Sequence, residues 1–157
     1  MARTLITALI AAAAVGTPAV AAQGPLQVAS KIFVEQRALD KAGAVSTSLA
    51  PATRAVPGDH VVFVLAYRNT GAQPLSDIVL DNPVPGAITY RAPGAGSAAP
   101  LLSVDGKTYG PLAQLRVPTA GGNSRAATSN DVRHIRWRIA TVPAGGQGQL
   151  AFKAVLK

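Results

Sequence analysis

Two histidines, His60 and His134, seven acidic side chains and no cysteine make up most of what this chain offers for chemistry. Nucleophilic catalysis by a hydroxyl needs a base within hydrogen-bond reach and a third group to orient that base. Each histidine falls at a polar position of an alternating run, His60 ahead of Val61-Val62-Phe63 and His134 ahead of Ile135-Arg136-Trp137. Both therefore belong to the solvent side of extended segments. No Gly-x-Ser-x-Gly elbow is present. The acids are scattered, mostly in turns, so the sequence does not set out the paired carboxylates of glycoside cleavage. It holds no histidine pair at ligand spacing and no Asp-rich calcium loop. The lack of cysteine excludes disulfides, thiol catalysis, cysteine metal ligands and a lipid-modified N-terminal cysteine. No catalytic residue, cofactor or metal is expected.

Charge offers more. Of 22 charged side chains, 15 are basic, giving a formal net charge of +8. His134, Arg136 and Arg138 alternate with Ile135, Trp137 and Ile139, so they share one strand face, with Arg133 and Arg125 close in sequence. Arginines so placed can meet carboxylates or phosphates through charge-assisted hydrogen bonds, which makes Arg133, His134, Arg136 and Arg138 a candidate face for anionic polysaccharide or lipopolysaccharide. A solvated face that deters edge-to-edge pairing is the competing reading. Nucleic acid is not an expected partner, because no aromatic side chains interleave with these arginines. A second candidate surface is apolar. Val62, Val64 and Ala66 line the outward side of a strand whose inward side is Val61, Phe63, Leu65 and Tyr67. That outward side is to be covered either by the N-terminal segment Gln23–Gln36 or by another protein subunit.

Two shorter motifs have plain structural readings. Asn69-Thr70-Gly71 is a turn in which the Asn side chain bonds nearby backbone and the Gly takes a positive φ. Ser103-Val-Asp-Gly-Lys-Thr-Tyr109 is one residue short of the Asp-box hairpin of sialidases, and Asp105-Gly106 predicts a tight type I′ hairpin.

The elements that position these residues are short strands between Gly/Pro turns. Arg3, the apolar run Leu5–Val15 and the small residues through Ala22 have the layout of a secretory leader, cleaved after Ala21 or Ala22. The run is too short and too interrupted to span a membrane as a helix, and no later stretch reaches that length. This divides the chain into a leader, 1–22, and one domain, 23–157. Strands are predicted from Val28, after Pro57-Gly58-Asp59 through Tyr67, over Ser76–Asp81, Ala87–Arg91, Leu101–Val104, Lys107–Tyr109, Leu112–Val117, Arg133–Ile139 and Gln149–Lys157. Ala44–Val56 reads as an edge segment or connection because of Pro51, and Asn82–Gly86 as a turn or edge crossing. Pro118–Asp131 reads as a long polar loop, mobile or functional. Strands at hairpin spacing argue for an all-β, Ig-like antiparallel β-sandwich of about 7–9 strands.

The order Pro57-Gly58-Asp59, alternating strand to Tyr67, Asn69-Thr70-Gly71, Asn82-Pro83-Val84-Pro85, Ile135-Arg136-Trp137 and Val142-Pro143-Ala144-Gly145 resembles a bacterial surface domain, the domain of unknown function eleven. The resemblance covers roughly 45–156. It departs from the family at Asn82, where an Asp is usual, and in being a single copy where tandem arrays are common. It implies an Ig-like fold outside the cytoplasm and supplies no catalytic residues. The expected function is a non-enzymatic structural or adhesive role, periplasmic or at the cell surface. Binding of anionic envelope polymers and self-assembly into a surface structure are the alternatives.

Overall fold

The computed structural model describes residues 24–39, 43 and 45–157, and the expected leader, 1–22, lies outside them. The described chain is all-β, with ten strands: β1 (Leu26–Leu39), β2 (Val45–Pro51), β3 (His60–Asn69), β4 (Leu75–Pro83), β5 (Ile88–Pro93), β6 (Leu101–Ser103), β7 (Arg116–Pro118), β8 (Ser124–Ala126), β9 (His134–Val142) and β10 (Gln147–Leu156). Five form one antiparallel sheet in the order β2-β1-β3-β10-β5 and three a second, β4-β9-β6, while β7 and β8 make a separate ribbon. No described helix is long and apolar enough to cross a membrane.

Two-residue alternation assembles the core. Val61, Phe63 and Leu65 of β3 and Leu150, Phe152 and Ala154 of β10 are buried from one sheet, and Leu80, Ile135 and Trp137 from the other. Phe63 and Phe152 sit directly opposite in the β3–β10 register and stack at 4.7 Å between centroids. Trp137 reaches across from the second sheet to 6.3 Å from Phe152, and its indole N–H donates to the Ala98 carbonyl at 3.0 Å. Buried aromatics in contact across two sheets make this a β-sandwich. Phe152 is fully buried; cutting such a ring back to Ala typically costs about 3–5 kcal/mol.

Prolines fall where the ladders tolerate them. Pro51 ends β2 and Pro83 ends β4, and both strands lie at sheet edges. Gly58, at φ +96°, turns the chain into β3, and its N–H bonds Leu156 at 2.9 Å, tying that turn to the last strand.

Several expectations are corrected. Among the described residues ten strands stand beside the nine segments expected, because β2 forms within Ala44–Val56 and β8 within the polar interval Pro118–Asp131, while Lys107–Tyr109 drops out. Leu112–Gln114 is itself a 3₁₀ turn, leaving only β7 of the strand predicted there. Lys107–Tyr109 is not a strand. The Asp105-Gly106 turn is not type I′, which requires positive φ at both residues, and Gly106 alone has it. Side chains build the loop instead. Ser103 Oγ accepts from the Gly106 N–H at 2.9 Å, and Asp105 Oδ1 accepts from the N–H groups of Lys107 and Thr108 at 2.8 Å each. Those backbone donors, Thr108 then Lys107, lower the Asp105 pKa to about 2. Gly71 does not have positive φ; a Cβ there would come within 2.9 Å of Pro25, so close approach is what requires glycine. Finally, the N-terminal segment does not lie over the outer face of β3. It pairs beside it, as β1.

Candidate functional site

The basic face predicted on β9 is assembled around an acid that nothing local in the sequence marks. Asp81 stands opposite Arg136 in the β4–β9 register, with Pro83 opposite His134. Asp81 Oδ2 accepts from Arg136 Nε at 2.9 Å and from the Tyr109 hydroxyl at 2.6 Å, while Oδ1 lies 2.9 Å from His134 Nδ1. The Arg136 guanidinium lies over the Tyr109 ring, 3.5 Å from its centroid, so one tyrosine both donates to the acid and stacks on its arginine. Burial pushes the Asp81 carboxyl up, but hydrogen bonds from Tyr109, His134 and Arg136 outweigh it and hold the pKa below the usual carboxylate range. Burial and the Asp81 carboxylate raise that of Tyr109.

This geometry divides the four basic candidates. His134 and Arg136 are brought together and share Asp81. Arg133 turns back to the backbone, donating to the carbonyl of Asn130 at 3.1 Å. Arg138 is exposed opposite Val79 and has no ion-pair partner among the described residues. Arg125 lies on β8, where it forms a two-pronged pair with Asp131 at 2.7 Å to each oxygen. Asp131 also accepts from Thr128, and the Arg125 and Thr128 bonds hold its carboxyl far below the usual range. The second ring nitrogen of His134, Nε2, faces Gly106, so close that a Cβ there would sit 3.2 Å away. Among the described residues, no three His, Asp or Glu side chains gather as a metal site would require.

Asp81 and Tyr109 escape sequence reading because they come from separate elements, 28 residues apart. The available signal is weak: Asp81 follows Leu80 at an outward position of β4, the face that meets Arg136.

The outward side of β3 is the second candidate surface, and it lies in a concave sheet face. Val62 and Val64, with Ala151, Leu49 and Ala95–Ser97, line a hollow of about 500 Å³. Ala66, with Gln27, Ala29, Arg68, Gln147 and Gln149, lines a second of about 860 Å³. Lys153 Nζ donates to Glu35 at 2.6 Å. Lys153 and Phe33 flank Val62 in the ladder, so this bridge passes over Val62 and accounts for its burial. Val64 and Ala66 are half-buried. In the larger hollow, Gln27, Arg68 and Gln147 form one cross-strand row.

Most of the large exposed apolar side chains belong to the two strands at the rim of this sheet, on both of their faces. Val28, Ile32 and Leu39 of β1 and Val45 and Leu49 of β2 account for five of the seven large exposed ones among the described residues. Beyond Val34, β1 leaves β3 and continues with β2 alone as a two-stranded ribbon. Together, fold and surface define an antiparallel sandwich whose polar clusters are internally committed and whose apolar exposure lies along one sheet edge. Comparison with family models, curated proteins and solved structures finds no match to this chain.

Proposed function

We propose that the protein is a non-enzymatic structural or adhesive module of the cell envelope, exported by its leader and acting through the rim of its larger sheet. The observation that carries this reading is that Val28 and Ile32, on one face of β1, and Leu39, Val45 and Leu49, on the other face of the β1–β2 pair, give this one rim five of the seven large exposed apolar side chains among the described residues, at exposures from 44% to 73%. Apolar exposure concentrated at one rim of a sheet suits contact with a partner along that rim, whereas single exposed residues scattered over a surface need no explanation. His134, Arg136 and Tyr109 all bond one carboxylate, which ties β4, β9 and the loop after β6 together and gives the second sheet a braced outer face. Expression of the full chain in a bacterial host, followed by fractionation and N-terminal sequencing, tests the reading. The expected result is protein processed after Ala21 or Ala22 in the envelope fraction, released from it when Val28, Ile32 and Leu49 are changed to Lys. Unprocessed protein in the cytoplasm, or turnover of a glycan, ester or peptide by the purified chain, overturns it.

A second reading, binding of anionic envelope polysaccharide, is favoured by one feature. Arg68 stands between Gln27 and Gln147 at the larger hollow and has no ion-pair partner among the described residues, as is also true of Arg138. Planar amide and guanidinium groups in a row suit hydroxyls and carboxylates of sugars.

A further inference from the structure

The N-terminal half of β1 carries an open sheet edge. Pro25 C=O accepts from Thr70 on the β3 side at 2.7 Å, and Ile32 C=O accepts from Ala52 on the opposite side at 3.1 Å. Backbone groups alternate in direction along a strand. The odd-numbered residues of β1 therefore bond β3, and Leu26, Val28, Ser30 and Ile32 direct their N–H and C=O groups away from it. β2 covers that side only from Phe33 to Leu39. It then turns off through the Thr53 N–H to Pro51 C=O bond, at 2.8 Å. No described residue pairs with the outward backbone of Leu26, Val28 and Ser30.

Of the devices that blunt edges, this edge has only Pro25 just before it and Lys31 at its far end. Leu26–Lys31 contains no proline, and its register with β3 runs without a bulge. The one charge, Lys31, has its side chain on the outer face. On the other face Val28 and Ile32 are 47% and 44% exposed, because β1 lies beyond the reach of the three-stranded sheet.

We propose that the edge is completed by a second copy of this chain, whose Leu26–Ser30 adds antiparallel about a two-fold axis at Val28. Ala52 already occupies the position opposite Ile32, so an added strand reaches no further than Lys31. The longest symmetric overlap that pairs outward-facing residues within this limit puts Val28 opposite Val28 and Leu26 opposite Ser30. It forms roughly six N–H···O bonds, two for each facing pair. Val28 meets its equivalent, Leu26 lies diagonal to Ile32 of the other copy, and Gln27 faces Ala29. No charged side chains oppose one another, which is the requirement a basic protein must meet to pair with itself. The same five residues, Leu26–Ser30, serve on both sides of the two-fold axis without opposing like charges, and this self-complementarity is the ground for taking a second copy as the occupant. This pairing rests on the structural reading above and names its partner.

Because the chain has no cysteine, Val28→Cys tests the geometry directly. Facing residues of a hydrogen-bonded antiparallel pair have Cα atoms about 5.5 Å apart, inside the roughly 4.4–6.8 Å that a disulfide spans. Under mild oxidation at ~100 μM protein, chosen because so short an interface binds weakly, Val28→Cys forms a disulfide dimer at least tenfold faster than Val79→Cys. Val79, on β4, is an equally exposed valine at 47%. Val28→Pro removes an N–H that bonds nothing within the described residues, so the monomer folds and its association is lost in sedimentation. Equal cross-linking of the two cysteine variants, or a strictly monomeric parent protein at ~1 mM, overturns the proposal. Either result leaves the envelope reading standing, because that is decided by processing, fractionation and turnover.

Discussion

Asn69→Asp is expected to turn a pH-independent strut into a pH-dependent one. Asn69 is fully buried at the end of β3. Its amide nitrogen donates to the carbonyls of Gln73 at 2.8 Å, Pro143 at 3.0 Å and Val142 at 3.1 Å, and its oxygen accepts from the Gly71 N–H at 2.9 Å. One side chain thus fastens the β3–β4 turn to the β9–β10 turn. Asn69→Ala deletes all four bonds. The amide nitrogen has two hydrogens to share among its three carbonyls and the oxygen accepts one bond, so at about 1 kcal/mol net per full bond the loss is about 3 kcal/mol. With a urea dependence of about 1.5 kcal/mol/M for a domain of this size, the unfolding midpoint falls by about 2 M. Asp in the same place keeps the acceptor for Gly71 but turns a charged oxygen toward three carbonyls, so at neutral pH it is worse than Ala. The burial and those carbonyls raise the folded pKa of the introduced acid above its unfolded value of about 3.9. Its stability deficit is therefore smallest below about pH 3.9, and it grows with rising pH by up to about 1.4 kcal/mol per unit until the folded pKa is passed. Trp137, the only tryptophan and nearly fully buried, reports unfolding by its fluorescence. The deficit relative to the parent protein, measured at each pH from 3 to 7, decides the matter. An Asp variant no less stable than the Ala variant at pH 7, or a deficit unchanged across that range, refutes the assignment of Asn69 as a three-carbonyl donor.

Acid should act on Asp131 with the opposite sign. Arg125 and Thr128 depress its pKa, so the stability it contributes is present above the ordinary carboxylate range and is lost as pH falls through the folded value. Asp131→Asn is thus expected to make the loss of urea resistance below about pH 4 shallower than in the parent, and an unchanged slope would refute it. If the anionic-polymer reading holds, Arg68→Ala and Arg138→Ala each weaken retention on an acidic polysaccharide column several-fold at low salt. Arg136→Ala changes it little, because that guanidinium is held by Asp81. Equal effects of all three, or retention that survives high salt, would remove the reading.

Strands bounded by Gly and Pro and alternating strictly were legible: Phe63, Leu65, Trp137 and Phe152 do meet in one interior. Alternation assigns a side chain to a face through the geometry of one strand alone, so no knowledge of neighbours is needed. What depends on neighbours was not legible. Ser124–Ala126 is too short and polar to register as a strand; it forms because it pairs with Arg116–Pro118 and because Arg125 clasps Asp131 behind it. Asn69 was recognisable as a turn residue, but its hold on Val142 and Pro143 spans more than 70 residues. Alternation puts Arg136 and Arg138 on one face of β9, but that Arg136 is held is decided by Asp81, 55 residues away.

The same limit explains why the most consequential surface is one that periodicity passes over. Alternation distinguishes the two faces of β1, with Val28 and Ile32 on one and Lys31 and Phe33 on the other, but it is silent on the two edges, because every residue carries the same N–H and C=O. An edge is open or closed according to where a second strand stops. Here Pro51 and the turn at Thr53 end the cover at Ile32, and a strand of 14 residues is left with partners on both sides over Phe33 and Val34 alone. The length of β1 is therefore the feature that links fold to assembly. Toward its N-terminus it outruns β2 and leaves backbone groups unmatched, and toward its C-terminus it outruns β3 and carries Leu39 out on a two-stranded ribbon. A shorter first strand would have given the same core with neither surface.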